Sequence, residues 1–354
     1  MILAAKDRAL GNGFNDNKVS NTVFVYSPPI EGAYSDCTST EFDCNQYVQV
    51  IIHNNRDTFF AKLVGIPQTK NIVRAVSAAD FGFSGPLYGG ASIVGLADDC
   101  KTIWLSGNNL LKIWGGSIFS NSSKDCGVTI AGSSNTTLYD GSIDMVANGY
   151  TINGNPPMDI EGGINGGNTA YPYPPPDYML PKAKCTNSAS VSGNTMTAGF
   201  WSAENKSSFP PKGVTTLQPG TYCVYTDFTL NAKDVLTGTG VSIIMEKGGI
   251  SWNGGAEIKL TAPASGDLEG LLIFAPMSNS NSMTFNGNGS SLLRGLIFTP
   301  AADIAYNGTS AVNKSYVQII AYTVELTGKN DTLIVYQDPD NWDANQPPVV
   351  GITE

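Results

Sequence analysis

Residues 107–118 read GNNLLKIWGGSI, and residues 132–143 read GSSNTTLYDGSI. Gly107, Ile113, Trp114, Gly116, Ser117 and Ile118 thus return as Gly132, Leu138, Tyr139, Gly141, Ser142 and Ile143, each 25 positions on. A second echo lies downstream, where Ile273-Phe274-Ala275-Pro276 returns, one coil later, as Ile297-Phe298-Thr299-Pro300. The turn Trp252-Asn253-Gly254 returns as Phe285-Asn286-Gly287 and again as Tyr306-Asn307-Gly308. A degenerate repeat of roughly 20–30 residues, built of short apolar pieces between Gly/Asn/Ser turns, fits coils that stack like side chains on like. Asn-Gly corners supply the positive φ that sharp bends need. The spacing predicts a mainly β fold with a right-handed parallel β-helix over residues 86–340. The alternative is a large β-sandwich with hairpins at the Asn-Gly turns, but hairpins do not require similar sequence one coil apart.

Composition narrows the function classes. Only 14% of residues are charged, against ~25% in an ordinary soluble domain, and with 39 glycines in 354 residues the chain reads as turn-rich β structure. A net charge of −10 with 20 Lys+Arg leaves no basic track for a phosphate backbone, which argues against nucleic acid. The longest apolar runs, such as residues 271–276 and 317–321, fall far short of the ~20 residues of a membrane span. A single histidine argues against His-rich metal sites and Ser-His-Asp chemistry. No cofactor or metal is expected.

Inside the repeat region, residues 155–213 break the pattern. Asn155-Pro156-Pro157, then Tyr171-Pro172-Tyr173-Pro174-Pro175-Pro176, then Phe209-Pro210-Pro211 read as a Pro-rich excursion from the solenoid. Residues 341–354 read as an acidic, Pro-containing tail or a cap over the last coil. Residues 1–85 have a different grammar. An Ala-rich helix end stops at Gly11-Asn12-Gly13, and strands are expected at residues 22–26, 46–53 and 71–77. One or two helical turns closed by Gly65 fall between the last two strands. Together these make a small α+β domain, and a chain that starts inside a helix reads as truncated or processed.

The six cysteines fall in three local sets, Cys37/Cys44, Cys100/Cys126 and Cys185/Cys223, with no CxxC and no metal-ligand spacing. Of the 15 possible pairings, loop closure favours these local ones. Three disulfides would place the chain in an oxidising environment, extracellular or at the cell surface; the alternative is six buried thiols.

The N-terminal region, residues 1–80, resembles the TadE/TadG-like family of tight-adherence (Flp) pilus-assembly proteins. The helix end running into Asn12-Gly13-Phe14, Pro28-Pro29 after the first strand, the strand at 47–53, the segment TFFAKLVGI at residues 58–66 and the strand at 71–78 carry the likeness. It covers about a quarter of the chain. It implies a pilin-like base preceded by a membrane helix that this chain lacks, and a structural or accessory role with pilus or filament subunits, or further copies of itself, as partners.

Candidate chemistry is sparse. Asp98, Asp99, Asp140, Asp144, Asp159 and Glu161 are the acids a polysaccharide lyase or glycosidase on a β-helix could use. Asp140 and Asp144 straddle one rung, yet the preceding rung has Gly115 and Phe119 there, so solvated turn residues are the simpler reading. His53 reads as a surface histidine, and residues 162–167 (GGINGG) as a loop without P-loop partners. Trp114, Tyr139 and Trp252 read as rungs or corner stacks. Tyr171, Tyr173, Tyr178 and Trp201 are the candidates for a contact surface to a partner subunit or a glycan. The sequence thus points to a non-enzymatic surface protein, with a carbohydrate-active enzyme as the alternative.

Overall fold

The computed structural model describes residues 2–37, 44, 47–80, 83–107, 110–133, 135–202, 208–287, 290–308, 313–328, 332–346 and 349–352. They form two compact units, residues 85–344 and residues 1–84 with 345–354.

The larger unit is a parallel β-solenoid of about ten turns. Along one face the strands follow the order Gly199–Trp201, Gly220–Val224, Val241–Met245, Leu271–Phe274, Leu292–Thr299, Asn313–Ala321, Ile93–Gly95, Ile118–Ser120, Ile143–Met145 and Ile164–Asn165. The echoes read from the sequence are register partners. Ile113 lies beside Leu138, Trp114 beside Tyr139, Ile118 beside Ile143, Ile273 beside Ile297, and Phe285-Asn286-Gly287 beside Tyr306-Asn307-Gly308. Parallel pairing one coil apart excludes the sandwich.

Order along the tube is not order along the chain. The chain enters mid-tube at Ile93–Gly95, winds to one end at Ile164–Asn165, returns through residues 166–194, and winds back from the opposite end to residues 313–335. There the last coil seats on the first on all three faces. Ile319 pairs with Ile93, Val324 with Ile103 and Ile334 with Ile113. Backbone N–H groups of Ile319 and Val324 donate to Ser92 O and Thr102 O, both at 2.8 Å. The buried Gln318 clamps this seam, its Nε2 donating to Leu87 O at 3.2 Å and Ala91 O at 2.8 Å.

Inward side chains fill the tube. Ile93, Ile118, Ile143, Ile243, Ile273, Ile297 and Ile319 are fully buried. On another face Phe209, Phe228, Trp252 and Phe285 meet edge to face at 5.0, 5.1 and 4.9 Å, and Tyr306 extends the row. Aromatic contacts of this kind add about 0.5–1.5 kcal/mol beyond their buried area. The first face is apolar on its outer side too, where Phe119, Ile244, Phe274, Phe298 and Ile320 join a second cluster. Met179 belongs to that cluster, with Leu180 and Ala183 packed against it. This double burial explains why every residue of VSIIM and LLIF at 241–245 and 271–274 is buried, the one polar side chain, Ser242, donating its hydroxyl to Leu271 O at 2.7 Å.

The three expected disulfides are present, Cys37–Cys44, Cys100–Cys126 and Cys185–Cys223. The second joins consecutive coils and the third ties the return segment to the first face. The Pro-rich excursion is shorter than the sequence suggests. Met158–Ile160 and Ile164–Asn165 still stack on the preceding coil, and Thr195–Met196 already pairs with Thr216–Leu217. Asn155-Pro156-Pro157 and Phe209-Pro210-Pro211 mark bends between faces, where a missing N–H costs no ladder bond. Residues 341–354 are not a tail throughout. Trp342 and Ala344 belong to the outer apolar cluster, with Trp342 Nε1 donating to Asp267 O at 3.0 Å.

The smaller unit has the helix Ile2–Gly11 and an antiparallel sheet of Asn21–Tyr26, Tyr47–Asp57, Gln68–Asp80 and Val349–Ile352, in that order. Gly13, at φ +89°, ends the helix, and Phe14 N donates back to Ala9 O at 2.9 Å. The expected turns before Gly65 form a short 3-10 helix, Ala61–Val64, with Gly65 left-handed at φ +87°.

Replacing Trp252 with Ala removes the middle of the aromatic row and is expected to destabilise the protein by about 3–5 kcal/mol. Trp114→Ala, on the outer surface, is expected to cost under about 1 kcal/mol by the same reasoning; chemical denaturation of both variants checks the difference.

Candidate functional site

Where the third face turns into the first, three successive coils place their bends side by side. Val335, Trp114 and Tyr139 are register partners, so Tyr336, Gly115 and Asp140 follow at neighbouring levels. The first belongs to the last coil of the chain and the other two to its first and second. With the loop Leu87–Gly90 and residues Asn168 and Tyr171 of the return segment, these bends enclose a groove of about 540 Å³. It is lined by Tyr88, Tyr171, Tyr336, Asp140, Asp144 and Asp338, over a floor of glycine backbone.

Glycine is required by the close approach of Tyr336. A Cβ on Gly116 would lie 2.8 Å from Tyr336 Cβ and 2.8 Å from Ser92 Cβ, and one on Gly90, itself at φ +77°, 3.0 Å from the Tyr336 hydroxyl. Opposite, Tyr88 adopts a left-handed conformation (φ +51°, ψ +39°) that residues with a side chain seldom adopt, at a cost of about 1–2 kcal/mol. That conformation buries its ring edge-on against Tyr171 at 5.0 Å. The Tyr88 hydroxyl is buried and finds no hydrogen-bond partner among the described residues.

Two of the three carboxylates, Asp144 and Asp338, are held by neighbours. Ser142 Oγ donates to Asp144 Oδ2 at 2.6 Å and Asn165 Nδ2 to Oδ1 at 2.9 Å. Tyr336 OH donates to Asp338 Oδ1 at 2.8 Å. Asp140 offers its backbone N–H to Glu161 Oε2 at 2.9 Å. Burial raises the Tyr171 phenol above the usual tyrosine value, and the negative charge of Asp144 adds to it. Burial also raises Tyr88, helped by the neighbouring tyrosines. Tyr336 is raised by burial, then by its bond to Asp338 and by the charges of Asp338 and Asp343. The phenols therefore remain donors. Among the described residues no lysine, arginine or histidine lines the groove, so it offers carboxylate acceptors, phenol donors and ring faces. Among the described residues no cluster of three or more His, Cys, Asp or Glu could hold a metal.

The other sequence candidates are dispersed. Asp98 Oδ1 accepts from Ser123 N and Oγ one coil away, both at 2.8 Å, and these bonds hold its pKa low. Asp99 pairs with Lys124 at 2.8 Å, the main reason its own pKa is low. Both are corner staples. His53 packs edge-on against Phe24 at 5.1 Å in the smaller unit, and Asp159 is exposed. Of the proposed contact surface, Tyr171 lines the groove, Tyr173 is held by Pro300 O at 3.3 Å, and Tyr178 is part exposed. Trp201 is only 8% exposed and belongs to the tube core, because its strand alternates Gly199 and Trp201 inward with Phe200 outward, so it presents no contact surface. Trp114 and Tyr139 stack on the outside with centroids 4.0 Å apart. Tyr88, Tyr336, Asp338 and Asn168 carry no signal in the sequence that marks them for the groove: Tyr336 and Asp338 follow a strand whose partner, Leu110–Trp114, lies far away in the chain, and Tyr88 and Asn168 lie outside the repeat.

A scan against protein-family models and searches of curated proteins and of solved structures find no match.

Tyr88 and Tyr336 hold their protons more tightly folded than unfolded. Their contribution to stability is present in full below about pH 10 and is lost as the pH climbs from there toward the folded-state values. An ultraviolet titration of the folded chain should show a late-ionising class of tyrosines, and Tyr336→Phe should shrink it.

Proposed function

We propose that the chain is an extracytoplasmic structural and adhesive protein, an accessory or minor component of a tight-adherence pilus or another surface filament, acting through contacts rather than catalysis. Three disulfides support an oxidising, extracytoplasmic setting, and among the described residues no helix is long and apolar enough to cross a membrane. The likeness of residues 1–80 to TadE/TadG-like proteins supplies the appendage, with its subunits or further copies of this chain as partners. The adhesive contact is the groove, and its ligand class is a neutral glycan. The observation that carries this is the lining itself. Fixed carboxylates can accept pairs of sugar hydroxyls, phenols can donate to others, and tyrosine faces can stack on a sugar ring.

A carbohydrate-active enzyme is the second reading, favoured by three carboxylates in one groove. The acidic lining disfavours the uronate substrates of lyases and leaves a glycosidase, which needs an acid and a base opposed across the scissile bond.

Titration with neutral oligosaccharides should show saturable binding, and Asp144→Asn should weaken it about tenfold or more, as expected for a lost charge-assisted hydrogen bond. Absence of binding to any neutral glycan overturns the adhesive role of the groove. Release of reducing ends from a neutral polysaccharide, abolished by Asp144→Asn, would replace it with the enzyme.

A further inference from the structure

The hairpin formed by Tyr47–Asp57 and Gln68–Asp80 ends in a surface that packing within its own unit leaves uncovered. Phe59, Phe60, Leu63, Val64 and Ile66 are 51–87% exposed, and the 3-10 turn Ala61–Val64 buries no residue. Farther down one arm Ile72 and Val73 are exposed as well. Exposed apolar residues are ordinary singly; five at one loop tip mark an interaction site.

The tip is preformed. Thr58 N donates to Pro67 O at 2.9 Å, Leu63 N to Phe60 O at 3.1 Å and Ile66 N to Ala61 O at 2.9 Å, while Thr58 Oγ1 bonds Ile66 O. Left-handed Gly65 closes the turn. The two phenylalanines touch edge to face with centroids 5.4 Å apart. Apolar side chains are thus held outward on a two-stranded stalk, and the backbone hydrogen bonds of the turn lower the ordering cost of binding.

Charge separates the tip from the rest of the chain. Residues 55–73 carry Arg56, Lys62 and Lys70 against one carboxylate, Asp57, in a protein of net charge −10. Gln68 Nε2 already donates to that carboxylate at 2.8 Å. A convex apolar point with cations at its base matches the layering of an anionic bilayer, apolar inside and phosphate outside.

We infer that this hairpin tip is a membrane wedge that inserts into the interface of a bilayer containing anionic phospholipid. The rings of Phe59 and Phe60 and the side chains of Leu63, Val64 and Ile66 enter the boundary between headgroups and acyl chains. Lys62 extends its ammonium back to the phosphates, which Arg56 and Lys70 also meet. The inference stands independently of the groove and its ligand.

Vesicle flotation of the full chain tests it. The protein should float with vesicles of phosphatidylglycerol mixed into phosphatidylcholine, and less with phosphatidylcholine alone. The combined change Phe59→Ser, Phe60→Ser and Leu63→Ser should lower binding about tenfold or more, in line with the apolar area withdrawn, with an unchanged thermal unfolding midpoint because none of the three is buried. Lys62→Glu with Lys70→Glu should weaken binding to the anionic vesicles alone, and added salt should do the same. Failure of the unmodified chain to float with either vesicle overturns the inference, as does equal flotation of the triple variant. Self-association in sedimentation velocity that the triple variant abolishes, without vesicle binding, would assign the tip to a second copy of the chain.

Discussion

Parallel backbone pairing between coils that are remote in the chain is the constraint on which the solenoid rests. A run of coils satisfies its strands internally but leaves a row of unpaired N–H and C=O groups at each end. Two such runs are joined here, so one end of each is consumed by the other. Ile319 on Ile93, Val324 on Ile103 and Ile334 on Ile113 keep inward aliphatic side chains in line, and the core crosses the join without interruption. Gln318 has a specific part in this. Its buried amide nitrogen finds carbonyls on residues 231 and 227 positions away. A misregistered seam would strand it.

The groove is a product of the same join. Its floor comes from bends at adjoining levels, one from the end of the chain and two from the start of the repeat, and its remaining wall from the return segment. Tyr336 fits only because Gly90 and Gly116 lack a side chain, and Tyr88 holds a strained backbone conformation to bury its ring beside Tyr171. Strain kept in place by surrounding contacts is the usual condition of a residue under functional constraint.

How far the sequence could be read follows from these distances. The one-coil offsets were legible because like side chains stack on like, and Ile113/Leu138 and Phe274/Phe298 are true neighbours. Asp140, Asp144 and Tyr171 were legible as candidates on residue type and position. The seam was not, because Ile319 and Ile93 belong to different runs with no shared repeat phase, and the groove residues Tyr336 and Asp338 lie beyond it. Proline misled at residues 155–157 and 209–211, where it bends the coil without leaving it; Trp201 misled because its short strand turns Gly199 and Trp201 inward together.

The return segment has a consequence for how such a protein can change in length. Residues 166–194 must reach from one end of the stack to the other, about 43 Å for ten levels spaced at the usual ~4.8 Å. Duplicating one coil would lengthen that path by a strand spacing while leaving the tether unaltered. Tyr171 and Cys185 are anchored at separate levels, to Asn121 and to Cys223, so slack cannot be borrowed freely between them. Growth or shrinkage of the tube is therefore coupled to insertion or deletion in the tether, and the number of coils in any descendant of this chain is gauged by a segment that contributes no coil of its own.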